Sequence, residues 1–235
     1  MMRGFVALLS ALIFSGCVSS TSSPPPAAVQ PVESGPVVSR AQASTNFRRA
    51  VARVEPVAER ICKDRTDGIQ CDFLIQIDPD ASAPVNAFQT VNDAGRPLII
   101  FTQALIADAR NADEIAFVIG HEAAHHIAQH LPQLQQNASI GAVLGGLIAG
   151  AAGADGALAQ DIVRAGAFVG SRTYSKEHEL EADSLGTVIT HEAGFDPVRG
   201  AAFFNRIPDP GNQFLGSHPP NAQRIATVQQ VASQL

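Results

Sequence analysis

Residues 118–130 read VIGHEAAHHIAQH, with four histidines and one glutamate in ten positions from His121. No other stretch constrains the fold so strongly. His121 and His125 are four apart, which on a helix puts them on one face about one turn from each other. With Glu122 directly after His121, the pattern is H-E-x-x-H, in which two imidazoles hold zinc and the glutamate acts on water beside it. By itself the histidine cluster also suits a metal store, a sensor or a structural knot; the motif reads on a helix. The rest of the chain must bring a third ligand to it, because catalytic zinc takes three protein ligands and keeps one position open.

The remaining histidines sort by rotation. His126 and His130 are also four apart, but on a continuous helix the five residues from His121 to His126 turn the chain by about 140°. That pair is expected to face away from the metal, in a polar or supporting role, and Ile127 stands where a second motif would need an acid. HEAGF at 191 repeats the first two letters but has Phe195 in place of the second histidine, so it reads as a surface turn before a helix start. Further on, EHELEAD offers Glu177, Glu179, Glu181 and Asp183. Glu179 and Asp183 share a helical face, and Glu181 points away from both. One helix could thus supply a ligand, Glu179, and a carboxylate, Asp183, that orients a zinc-bound histidine. The plain alternative is a solvated acidic face.

Around these motifs the patterns alternate between helix and strand. NFRRAVARVEPVAERICKD has helical spacing, with Pro56 as an interruption or a second start. CDFLIQIDP reads as a strand, and Val85–Val91 with Pro97–Phe101 as a hairpin turned by NDAG. Asn111 and Glu114 resemble a capping box that opens a helix from Ala112 to His130, ended by Pro132. IGAVLGGLIAGAAGA, from Ile140, is uncharged and falls short of the ~20 residues of a membrane span. It reads as a small-residue helix packed on its neighbours or a cover over the site, with a membrane-inserting hairpin as the alternative. Residues 161–190 read as helical with a break near Gly170, and a last helix is capped by Asn221. The class is α+β.

The first 17 residues lie outside this pattern. Arg3 precedes an apolar run from Phe5 to Phe14, which is a signal-peptide arrangement. FSGC resembles a bacterial lipobox with Phe14 in the usual leucine place, which makes Cys17 the lipidated residue; Val18 rather than Asp after it favours the outer membrane by resemblance to sorting rules. Residues 18–44 are rich in Pro, Ser, Val and Ala and read as a flexible tether, so the folded domain is expected at 45–235. In an exported protein Cys62 and Cys71 are expected to pair, closing a short loop that contributes ~2–3 kcal/mol. The net charge of −6, without a basic stripe, argues against a nucleic-acid partner.

Together HEAAHH, ELEAD and the later SHPP resemble the gluzincin metallopeptidases that include HtpX, the CaaX prenyl protease, the mitochondrial Oma peptidase and periplasmic BepA. The resemblance covers Thr45 to the C-terminus and is nearest to the soluble, lipoprotein-type members. It implies a mainly helical zincin-type domain with one small β-sheet beside the active-site helix. It implies one Zn2+ per chain on His121, His125 and Glu179, with Glu122 as general base and Asp183 behind a zinc histidine. His218 in the SHPP loop is placed by the resemblance near the metal, to block zinc or to stabilise the oxyanion, with Arg224 and Tyr174 as lesser candidates. VNAFQTV resembles the family's edge strand, which puts Asn86 and Ala87 against the substrate backbone. The implied activity is hydrolysis of peptide bonds in misfolded or misassembled envelope proteins, on the periplasmic side of a membrane reached through the N-terminal lipid. The competing expectation is a metal-binding lipoprotein with a chaperone or scaffolding role. Glu122 separates the two, since a zinc store has no use for a base.

Overall fold

The computed structural model describes residues 35–172, 175–209 and 219–235. Helix α1 (Arg40–Arg65) is capped by Ser39, whose hydroxyl accepts from the Gln42 N–H at 3.2 Å. Phe47, Ala50, Val54, Ala58 and Ile61 recur at helical spacing and form one buried stripe. The helix starts inside the segment 18–44 that reads as a tether, and Ala43 is already buried in the core. Pro56 does not interrupt it. The proline sits on the exposed face, where water can satisfy the carbonyl that loses its partner. Cys62, near the end of α1, is disulfide-bonded to Cys71 with their Cα atoms 5.7 Å apart.

Strands β1 (Leu74–Ile77), β2 (Ala87–Val91) and β3 (Pro97–Phe101) form one sheet in the order β1-β3-β2. β3 runs parallel to β1 and antiparallel to β2, and buries Pro97, Ile99 and Phe101 by simple alternation. Gly95, at φ 76°, closes the β2–β3 turn with its N–H on the Asn92 carbonyl at 2.8 Å. Thr102 N–H donates to the Asn86 carbonyl, and Asn92 N–H to the Arg96 carbonyl, each at 3.0 Å. Antiparallel alternation then directs the backbone groups of Ala87, Gln89 and Val91 to the open edge.

After the short helix α2 (Gln103–Asp108), α3 (Ala112–Ile127) carries the motif through the core. Asn111 Oδ1 accepts from the N–H groups of Asp113 and Glu114 at 2.9 and 3.0 Å, and the Glu114 carboxylate accepts from the Arg110 N–H at 2.9 Å. α3 stops at Ile127 rather than His130. Gln129 turns the chain with φ 56°, and α4 (His130–Ala151) starts afresh with Pro132 in its first turn, where a missing N–H costs nothing. α4 and α5 (Gly156–Arg172) form a hairpin, and α5 ends two residues past Gly170, near the break expected there. A Cβ on Gly141 would come 2.1 Å from the Gly166 carbonyl oxygen, so only glycine admits this approach. The outer faces of the hairpin expose Leu144, Leu147, Ile148 and Leu158. Among the described residues no helix is long and apolar enough to cross a membrane.

α6 (Ser175–Glu192), α7 (Pro197–Gly200), a 3-10 turn (Ala201–Asn205) and α8 (Asn221–Ala232) complete the described fold. His191 and Glu192 are exposed at the end of α6, as a surface turn requires, but Phe195 is buried. Asn221 is the first residue of α8 rather than its cap; its Nδ2 donates to the carbonyls of Phe204 at 2.9 Å and Ile207 at 3.1 Å. The fold is α+β, mainly helical with one small sheet.

Candidate metal centre

α3 and α6 cross with their backbones in contact. A Cβ on Gly120 would lie 2.8 Å from the Gly186 carbonyl oxygen, and one on Gly186 would lie 2.9 Å from the His121 nitrogen. This crossing brings HEAAHH against ELEAD. His121 Nε2 is 3.0 Å from His125 Nε2 and 3.6 Å from Glu179 Oε2, and His125 Nε2 is 3.4 Å from Glu179 Oε1. Tetrahedral zinc with ligand bonds near 2.0–2.1 Å spaces its ligand atoms roughly 3.3 Å apart. The donor set of two imidazole nitrogens and one carboxylate therefore fits a zinc ion in both chemistry and spacing.

The far side of each imidazole is also engaged. His121 Nδ1 lies 2.9 Å from Asp183 Oδ1. Asp183 is fully buried, and Arg224 grips it with Nε to Oδ2 at 2.8 Å and Nη2 to Oδ1 at 2.7 Å. A buried carboxylate without such a partner would be strongly unfavourable. The guanidinium also stands 3.4 Å from Glu179 Oε2 and 4.0 Å from the centroid of the Phe204 ring. Arg224 is thus committed to the carboxylates beneath the site, a different task from the oxyanion contact expected of it. His125 Nδ1 is 2.9 Å from His130 Nδ1, and His130 Nε2 is 3.3 Å from Glu181 Oε2. His130 therefore does not face away from the metal site. The rotation argument assumed one continuous helix, and the left-handed Gln129 folds His130 back onto His125. His126 does face elsewhere, with Nε2 2.7 Å from the Gln70 carbonyl oxygen.

Glu122 is half-buried on the wall of a cavity of about 650 Å³, whose apolar lining includes Leu105, Phe117, Val118 and Phe203. Burial pushes its carboxyl up to about 7, with His121 pulling it down, Glu179 pushing it up, and the Gln89 N–H holding it from the strand edge. At His121, burial disfavours the charge, but hydrogen bonds to Asp183 and Glu179 outweigh it and raise the imidazole to about 9. His125 is held well below the usual histidine range by burial and then by the charge on His121. A cation at this point would replace the proton of His121.

Asn86 and Ala87 both line the cavity, but only Ala87 offers free backbone to it. Asn86 donates its N–H to Thr102 Oγ1 at 3.1 Å and accepts from Thr102 at its carbonyl, so it cannot pair with a peptide through its backbone. Period-two alternation from Ala87 would have named Gln89 instead. His130 left one sequence signal, since Pro132 is as compatible with a first turn as with an end. Cys17, Tyr174 and His218 lie outside the described residues.

Comparison with known proteins agrees in extent with the described body. Residues 55–232 match the profile of peptidase family M48. The chain is 30% identical over 175 residues to the mitochondrial metalloendopeptidase OMA1 of Saccharomyces cerevisiae, covering 69% of this chain and 47% of that one. It is 27% identical over 150 residues to the beta-barrel assembly-enhancing protease of Escherichia coli O157:H7, covering 58% and 31%. It is 27% identical over 173 residues to the OMA1 metalloendopeptidase of Arabidopsis thaliana, covering 70% and 32%. The chain thus spans 31–47% of the length of these relatives.

Proposed function

The chain belongs to peptidase family M48, and on that premise we propose that it is a zinc-dependent endopeptidase of the bacterial cell envelope, with Glu122 as its general base. The observation that carries the reading is the convergence of His121, His125 and Glu179 at 3.0–3.6 Å, with Glu122 on the cavity wall beside them. Zinc in that site supplies a Lewis acid for water and the scissile carbonyl. The other steps belong to the chain's own residues. The edge-facing backbone groups of Ala87 and Val91, with the Gln89 carbonyl, pair with an extended peptide and hold it along the cavity, while the Gln89 N–H stays on Glu122. The Glu122 carboxylate takes a proton from water and returns it to the leaving amine nitrogen. Asp183, locked by Arg224, keeps the His121 ring in the tautomer that leaves Nε2 free.

Misfolded or misassembled envelope proteins are the proposed substrates. The name of the bacterial relative, a beta-barrel assembly-enhancing protease, supports that class. Lipidation at Cys17 places the domain at a membrane facing the periplasm. Elemental analysis of the purified chain is expected to give about one zinc per molecule, as three protein ligands and an open position imply. With zinc bound it should cleave casein, and Glu122→Gln should keep the metal and lose cleavage. Full activity in that variant would sink the mechanism, and undiminished zinc affinity after Glu179→Ala would sink the ligand assignment.

A further inference from the structure

His130 is 1% exposed at the first residue of α4, and both of its ring nitrogens have partners. Its Nδ1 meets His125 Nδ1 at 2.9 Å and its Nε2 meets Glu181 Oε2 at 3.3 Å. A hydrogen bond between two imidazole nitrogens needs one donor and one acceptor. If His125 gives its Nε2 lone pair to a metal, its ring hydrogen sits on Nδ1. His125 Nδ1–H must then donate to His130 Nδ1. That puts the hydrogen of His130 on Nε2, where it donates to the Glu181 carboxylate. One assignment of hydrogens satisfies the whole row. His178, next to Glu179 on α6, lies flat against the His130 ring at 4.3 Å between centroids and 13° between planes, which holds that ring in its orientation.

We infer that His130 is a positioning residue for the metal ligand His125: it fixes the tautomer and the rotation of that ring and links it to Glu181. It does for His125 what Asp183 does for His121, through a neutral ring in place of a buried carboxylate. The two ligands on α3 are thus oriented by different chemistry from different helices. The inference rests on the reading of His121, His125 and Glu179 as the zinc site.

Two substitutions separate the hydrogen bond to His125 from mere space-filling. In His130→Asn the amide falls where Nδ1 was and can still meet His125. In His130→Gln it falls near the position of Nε2, reaching Glu181 but not His125. Both lose the ring that stacks on His178, so the metal-free unfolding midpoints in urea should drop by similar amounts. Zinc affinity of the full chain, measured by competition with a chromophoric chelator, should split the two. His130→Asn should stay within a few-fold of the wild type, and His130→Gln should bind ~10–100-fold more weakly, the usual cost of losing a partner behind a metal ligand. The visible absorption of the Co2+-loaded protein should match wild type in His130→Asn and differ in His130→Gln. Equal zinc affinity in the two variants, or a loss that simply follows the unfolding midpoints, overturns the inference. Failure of the wild type itself to bind zinc would instead overturn the metal reading on which it rests.

Discussion

Glu122 and His121 lie side by side and titrate in ways that measurements of stability and binding should reveal. The Glu122 carboxyl, raised from 4.5 to about 7, favours the folded metal-free chain while protonated. That advantage is complete below 4.5 and is lost as pH rises through about 7. His121, raised from 6.5 to about 9, adds stability that is complete below 6.5 and lost through about 9. The urea midpoint of chelated protein should therefore fall from weakly acid to alkaline pH. In Glu122→Gln the fall should begin only near 6.5, where the unfolded chain's His121 loses its proton while the folded chain's keeps it. The same variant should lose ~10²–10⁴-fold in kcat on casein, the usual contribution of a general base, so it should be more stable at pH 8 and inactive. Zinc binding supplies a second readout. Since His121 carries a proton in the metal-free site at neutral pH, calorimetry in buffers of different ionisation heat should show about one proton released per zinc near pH 7.5. No proton release would show that His121 is already neutral before the metal arrives.

Glycines decide how the helices meet, and they do so differently at the site and at the hairpin. A methyl at Gly186 would press on the backbone of His121, so Gly186→Ala should force α3 and α6 apart. The cost should be ~1–3 kcal/mol in urea unfolding, as for other overpacked contacts, with weaker zinc binding because Glu179 moves with α6. Gly166→Ala would press on Gly141 of α4 instead. Its effect should stay local and show as faster hydrogen exchange in residues 133–172. The motif helix and its cap were legible because periodicity and capping are local: Asn111, Glu114 and the four-residue spacing of His121 and His125 require nothing distant. Glu179 with Asp183 was legible by the same spacing on a second helix. The break at Gln129 was not, since a left-handed glutamine has no signature in its own letters, and His130 was misplaced as a result. Nor could strand letters tell Asn86 from Ala87, because pairing with β3 decides which residue faces the open edge. Arg224 was visible as a charge, but only the fold shows that it lies beneath Asp183.

At the scale of the molecule, the centre draws on residues far apart in the chain: His121 and His125 from α3, Glu179 and Asp183 from α6, and Arg224 from α8. An ion held there ties α3 to α6 through its three ligands, adding to the Arg224–Asp183 pair that already joins α6 to α8, and it binds the folded state alone. Zinc at 100 times its Kd should therefore add ~2.7 kcal/mol to unfolding, and Glu179→Ala should abolish the gain. The disulfide acts on the other side of the balance. Cys62 and Cys71 are nine residues apart, so their bridge limits the freedom of the unfolded chain by ~2–3 kcal/mol. Around it the sulfurs meet Thr66 and the Ile69 carbonyl, none of them part of the metal centre. Two effects that share no partner should add within ~0.5 kcal/mol. Removing both cysteines as Cys62→Ser with Cys71→Ser should thus lower stability with and without zinc by the same amount. The measurement is a four-point cycle of urea unfolding, wild type and double variant, each with zinc and with chelator. A zinc increment that shrinks by more than that margin would mean that the bridge helps to hold α3 in the geometry the metal needs.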